Sequence, residues 1–248
     1  MKRLLLFLTV TLFSFSLFSQ VVNIETLRLR MDSLGYYGGG DYAGEFYKDK
    51  VVHNSAEISV HLAYKGEKNE FLNIGSYSYE ISNKEIQTNN AFEHFRYNRI
   101  FSKLLTGEVF YQIKFDDVLN VDMRQLIGTG ARITGFNEKE RSLYFGFLVM
   151  YEYEKLNYGE IHNDYRMSNY VTLRLPLKDF KLTSTTYYQP KINDPKDYRI
   201  SSENMLSYDA GKRFEFFLKF SFLYDTDQVI GIDNYLYSFS QGIKLKLK

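Results

Sequence analysis

The sequence predicts an all-β, transmembrane, antiparallel up-and-down β-barrel of about twelve strands behind a cleaved signal peptide. Three observations predict it: an alternation of apolar side chains that recurs along the chain, an N-terminal export signal, and 22 Tyr and 21 Phe in 248 residues. Successive side chains of a strand point to opposite faces, so an alternating segment has one greasy face and one polar face. Leu143, Phe145, Phe147, Val149, Tyr151 and Tyr153 form such a greasy face. Tyr144, Gly146, Leu148, Met150, Glu152 and Glu154 form the other, which becomes polar along its length. A soluble protein would have to bury most of its rings. A barrel sets them against lipid and at the two water interfaces, around a polar lumen.

The elements follow in order. Residues 1–20 read as a signal peptide: Lys2 and Arg3, an apolar stretch from Leu4 to Phe18, and a small-residue cleavage point at Ser19-Gln20. The stretch is short for a membrane anchor, which needs about 20 residues. Residues 21–40 do not alternate cleanly and are assigned to a periplasmic lead-in that ends at the break Gly38-Gly39-Gly40. Residues 41–248 form the barrel. Strands are expected over 41–49, 54–65, 70–82, 89–101, 106–117, 122–135, 141–155, 161–175, 180–190, 197–208, 213–225 and 234–247. Turn signals separate them, for instance Lys65-Gly66-Glu67-Lys68-Asn69 and Asp209-Ala210-Gly211-Lys212. Pro176, Pro190 and Pro195 fall at or beside strand ends, where a missing backbone donor is tolerated.

A membrane strand needs about 9–11 residues, so twelve strands account for the mature length; ten or fourteen are the nearest alternatives. The odd-numbered turns, such as 191–196 and 226–233, are longer than even-numbered ones such as 66–69 and 176–179. Long turns outside and short turns in the periplasm are the usual asymmetry of these barrels. The last segment carries Tyr235, Tyr237, Phe239, Gln241, Ile243, Leu245 and Leu247 on one face, although it ends in Lys248 rather than an aromatic residue. A soluble sandwich or lipocalin-like barrel would also alternate, but rarely with so many long aromatic segments. No fixed repeat period marks a solenoid.

The chain carries 31 basic and 30 acidic residues. Removing Lys2 and Arg3 with the signal leaves 29 basic residues, and the net charge falls from +1 to −1. No long basic run exists, so nucleic acid is not expected as a partner. The absence of Cys removes lipid attachment at an N-terminal cysteine and any disulfide. The expected location is the bacterial outer membrane. The expected partners are outer-membrane lipid, the barrel-assembly machinery during insertion, and other outer-membrane proteins.

If the greasy face meets lipid, the opposite parity lines the lumen. That places Arg96, Glu108, Arg124, Arg132, Glu152, Glu154, Asp164, Arg166, Arg174, Arg199 and Glu203 inside. Both signs share one confined space, where unpaired charge is costly. A twelve-stranded barrel is narrow enough for these side chains to meet across it. Two functions fit: a narrow channel for small polar solutes, or a plugged barrel that scaffolds an outer-membrane assembly or serves envelope stress adaptation. Gly128 and Gly130, between Arg124 and Arg132, leave space that a long side chain from the opposite wall could fill. Asp-Tyr-Arg occurs twice, at Asp164-Tyr165-Arg166 and Asp197-Tyr198-Arg199, near the extracellular ends. Rim packing is favoured over a paired substrate clamp.

Catalysis is not expected. His162, Asp164 and Ser168 contain the ingredients of a lipid hydrolase, but His162 and Ser168 share the lumen face, and no G-x-S-x-G turn exists. His53, His61, His94 and His162 lack metal-ligand spacing. No cofactor is expected.

Several stretches form a recognisable set. They are Phe92-Glu93-His94-Phe95-Arg96-Tyr97-Asn98, Asp122-Met123-Arg124-Gln125-Leu126-Ile127-Gly128-Thr129-Gly130, Tyr151-Glu152-Tyr153-Glu154, His162-Asn163-Asp164-Tyr165-Arg166 and Asp197-Tyr198-Arg199-Ile200-Ser201-Ser202. With these the chain resembles, over roughly residues 38–248, the "domain of unknown function 481" family, often labelled salt-induced outer-membrane proteins. It looks most like the Bacteroidetes branch. The resemblance implies an outer-membrane barrel without an established activity and supplies no catalytic residues.

Overall fold

The computed structural model describes Met31, residues 33–48, 52–82, 85–117, 119–138, 141–211, 213–227 and 233–245. The signal peptide and most of the lead-in lie outside the described residues. Twelve strands follow one another: β1 (Gly35–Lys48), β2 (Val52–Lys65), β3 (Asn69–Ser82), β4 (Glu85–Ile100), β5 (Leu105–Asp116), β6 (Val121–Glu138), β7 (Arg141–Leu156), β8 (Ile161–Leu177), β9 (Phe180–Pro190), β10 (Tyr198–Ala210), β11 (Phe214–Asp225) and β12 (Tyr235–Leu245). Each pairs antiparallel with its sequence neighbours in one curled sheet of order β1 to β12.

Two expectations change. Gly38-Gly39-Gly40 lies inside β1, paired with Leu62, His61 and Val60, rather than before the strand. Glycines carry no side chains to alternate, so the backbone ladder alone marks this stretch as strand. The ring expected to be closed is also not completed by a ladder among the described residues: β12 comes alongside β1 without pairing with it. A glycine-rich strand specifies register weakly, which suits this seam.

The two faces separate cleanly. Along β7, Phe147 is 55% and Val149 49% exposed, whereas Leu148, Met150, Glu152 and Glu154 are buried. Contacts between strands that are not neighbours, such as Tyr170 on β8 with Glu108 on β5, identify the buried face as the concave one. The outward face meets lipid. Two aromatic girdles edge it, as membrane interfaces favour. Tyr36, Tyr64, Phe71 and Tyr97 touch in sequence at the short-turn end. At the other end Tyr151 touches Tyr165, and Tyr188, Tyr198 and Tyr224 form a second row. The longest connections, 191–197 and 226–234, lie at this second end, which is therefore extracellular.

Register on the concave face is set by rings laid over glycines. Phe110 lies opposite Gly128, Tyr170 opposite Gly146, and Phe217 opposite Gly242. A Cβ added at Gly146 would stand 2.0 Å from Tyr170 Cε1. Gly146→Ala is therefore expected to lower stability by about 1–3 kcal/mol through overpacking. Gly135→Ala, whose Cβ would meet Leu143 at 3.3 Å, is the milder control. Urea unfolding in micelles measures both.

Candidate functional site: the packed lumen

Strand parity puts side chains of like kind at like height inside the barrel. On β5 the inward series runs Glu108, Phe110, Gln112, Lys114, Asp116; on β7 it runs Tyr144, Leu148, Met150, Glu152, Glu154. Each strand thus carries charge toward the extracellular end and apolar groups below it. Together they stack two charged layers around an apolar belt.

The upper layer centres on Glu152. Its carboxylate takes Arg199 Nη1 at 2.5 Å, Arg166 Nε at 3.1 Å and Arg124 Nε at 3.3 Å. Each arginine also reaches a second carboxylate: Arg124 pairs with Glu154, Arg166 Nη2 donates to Asp197 at 3.0 Å, and Arg199 Nε donates to Asp225 at 2.5 Å. The two Asp-Tyr-Arg segments therefore converge, their arginines on Glu152 and their tyrosines outward in the girdle. Lys114 and Asp116 pair at 2.6 Å in the same layer.

Lys191 fastens the rim. Its Nζ donates to Asp197 at 2.5 Å and lies 3.2 Å from Asp164. Partial burial pushes the Asp197 carboxyl up, but Lys191 and Arg166 outweigh it and hold the group below the ordinary aspartate range. Burial opposes the charge on Lys191, and Asp197 and Asp164 raise its value overall. The sign follows from each direction. The contribution of Asp197 is present above its unfolded value and lost as pH falls through its depressed one. That of Lys191 is present below its unfolded value and lost as pH rises through its raised one. Amide exchange over 191–197, corrected for its intrinsic pH dependence, is expected to accelerate below about pH 4 and to stay level from about pH 5 to pH 9.

The lower layer centres on Glu108, which is 1% exposed. Its Oε2 accepts from Arg96 Nη1 at 3.0 Å and from the Tyr170 hydroxyl at 2.9 Å, and its Oε1 lies 3.3 Å from Arg132 Nη1. Arg132 Nη2 lies 3.9 Å from Glu70, which also accepts from Asn98 at 3.0 Å. The guanidinium of Arg96 covers the Phe110 ring at 5.3 Å and that of Arg132 covers Tyr144 at 5.1 Å, contacts that strengthen when desolvated.

Between the layers lies a belt of Phe110, Leu126, Leu148, Met150, Tyr170 and Tyr187. His94 stacks on Phe110 from one side. Here the structure departs from expectation. The space over Gly128 and Gly130 is filled by Phe110 and Leu148, side chains of the adjoining strands and not of the opposite wall. The reason is geometric: a residue directly opposite a glycine is about 4.5–5.5 Å away, far nearer than the facing wall. At the barrel ends, Met31 is buried against Ala63 and Leu72, and Leu119, Val121 and Leu156 pack with Leu236 of β12.

Arg174 and Glu203 lie on this same concave face, on β8 and β10. Phe110, Tyr170 and Tyr187 share parity with charged neighbours, and parity could have placed them in the lumen. Lys191 lies in a connection, and only its bridge to Arg166 brings it to the rim. His162 and Ser168 do not form a catalytic pair. Six residues apart on one extended strand, they stand about 20 Å apart. His162 Nε2 lies 2.9 Å from Glu160, and Ser168 accepts from Gln189 at 3.1 Å.

The chain is similar to several known structures. The NanC porin is 18% identical over 87% of this chain and 100% of its own, with a TM-score of 0.51. The translocator domain of the autotransporter NalP from Neisseria meningitidis is 12% identical over 90% and 92%, TM-score 0.48. The KdgM porin is 11% identical over 86% and 99%, TM-score 0.46. No curated protein matches the chain in sequence. An apolar wall between aromatic girdles, on a fold shared with an outer-membrane porin, is the build of an outer-membrane barrel. Residues 53–239, well over half of the chain, match the model of the family described as protein of unknown function, DUF481, and the protein belongs to that family.

Proposed function

We propose that the protein is a plugged barrel, one that rigidifies the outer membrane and holds a place for other envelope proteins rather than conducting freely. The observation that carries this reading is the dryness of the lumen. Inward side chains at every height are shielded from water: Asn98 and Thr172 are 0% exposed, and Glu108, Arg166 and Thr185 1%. A water column would expose them. The apolar belt adds a second barrier, because a narrow hydrophobic constriction dewets and stops ions.

One observation favours the channel reading. Small hydroxyl residues line the concave face of β8 to β11, among them Thr172, Thr183, Thr185, Ser201 and Ser221, with Thr172 and Thr185 in contact at 3.1 Å. Such a stripe offers hydrogen bonds to a small polar solute if the barrel widens. Planar-bilayer recording separates the two. Correctly folded protein at high load is expected to remain silent, and steady conductance by the unmodified protein overturns the plug.

A further inference from the structure

Glu93 is out of place. Its chain neighbours Phe92 and His94 are buried on the concave side, so Glu93 faces lipid, at a height between the outward Tyr97 and Tyr77. A carboxyl group facing acyl chains is costly unless its hydrogen-bonding capacity is filled. Asn73, also outward, donates to one of its oxygens. The other oxygen lies over Gly75, where any Cβ would stand 2.4 Å from it. Glu93 lines a groove of about 510 Å³ together with Gly75, Ala91, Val60 and Ile113, and Asn73 reaches this groove only through its bond to Glu93. Small residues in a lipid-facing wall let another protein surface come close, and a polar pair beside them holds it there.

We propose that this patch of β3 and β4 docks a second copy of the chain, with Glu93 and Asn73 of one wall exchanging hydrogen bonds with Asn73 and Glu93 of the other. The patch is self-complementary, as a two-fold interface requires. Asn73 offers a second amide hydrogen and Glu93 a second carboxyl oxygen, so each copy supplies what the other lacks. Lipid acyl chains supply neither. The inference stands whether or not the lumen conducts.

The test uses the full-length protein. Sedimentation in density-matched detergent is expected to show a dimer. Glu93→Gln is expected to weaken it less than Glu93→Leu, because one of the two acceptor oxygens remains, whereas Glu93→Leu and Ala91→Phe are expected to lower dimer affinity at least tenfold. Retained strand content and heat-modifiable gel migration confirm that the variants fold. The chain has no Cys, so Ala91→Cys reports contact directly. Oxidation in membranes is expected to link it into a covalent dimer, and Val171→Cys, outward on β8, is expected not to link. A monomeric wild type, a dimer indifferent to Glu93→Leu, equal linking at both cysteines, or an Ala91→Cys adduct of a mass other than two chains overturns the proposal.

Discussion

Replacing Glu108 by alanine is expected to lower the unfolding free energy by about 3–5 kcal/mol, the largest effect of any single charge in the barrel. The carboxylate is buried and serves Arg96, Arg132 and Tyr170 at once. Its removal leaves Arg132 with Glu70 at 3.9 Å and takes the acceptor from a buried tyrosine hydroxyl. Glu152→Ala is expected to cost less, although it too holds three arginines, because each of those keeps another carboxylate: Glu154, Asp197 or Asp225. Asp122→Ala, which breaks the half-exposed Lys155–Asp122 pair on the rim, is expected to change stability by less than about 1 kcal/mol. Urea unfolding of the three variants in one micelle system checks the order.

Cutting the belt back should turn silence into conductance. Phe110, Leu148 and Met150 are mutually packed and bear no hydrogen bonds on their side chains, so changing all three to alanine removes the dry constriction and leaves both charged layers in place. Planar-bilayer recording of the folded triple variant is expected to show steady current where the wild type shows none. The current should then report the charges around it. Adding Arg124→Ala in this background is expected to shift the ion selectivity toward cations, because a positive group is lost from the upper layer. A silent triple variant would mean that the charged layers seal the barrel by themselves.

Much of this was legible in the sequence because strand parity is a strict code. The assignment of 180–190 coincides with β9, and every large residue of 143–154 faces the side its parity requires. Parity failed where side chains were missing or the strand was irregular. β1 begins at Gly35, and its three consecutive glycines hid it. β6 continues to Glu138, three residues past the expected end, because the register shifts between Thr134 and Phe136 and the alternation slips there. What parity could not supply is the partner across the ladder. That Phe110 meets Gly128, or that Arg166 and Arg199 meet on one carboxylate, depends on strand pairing and barrel curvature, which one segment does not encode.

The rings that lie over glycines have a consequence for assembly. Phe110 with Gly128, Tyr170 with Gly146 and Phe217 with Gly242 join β5 to β6, β7 to β8 and β11 to β12. All three are hairpins closed by extracellular connections of four or more residues. A tight two-residue turn dictates how its strands align, but a longer loop leaves the alignment open. In these hairpins the dictation passes to a ring and the hollow beneath it. A strand displaced by two residues would keep every side chain on its proper face, so the inside-outside pattern would not reject it. It would, however, drive Tyr170 into Tyr144 or Leu148 and, in one direction, Phe110 into Leu126. The glycines thus act as keyholes that check alignment where loops cannot, at the stage when a hairpin enters the membrane and has no neighbours yet to correct it.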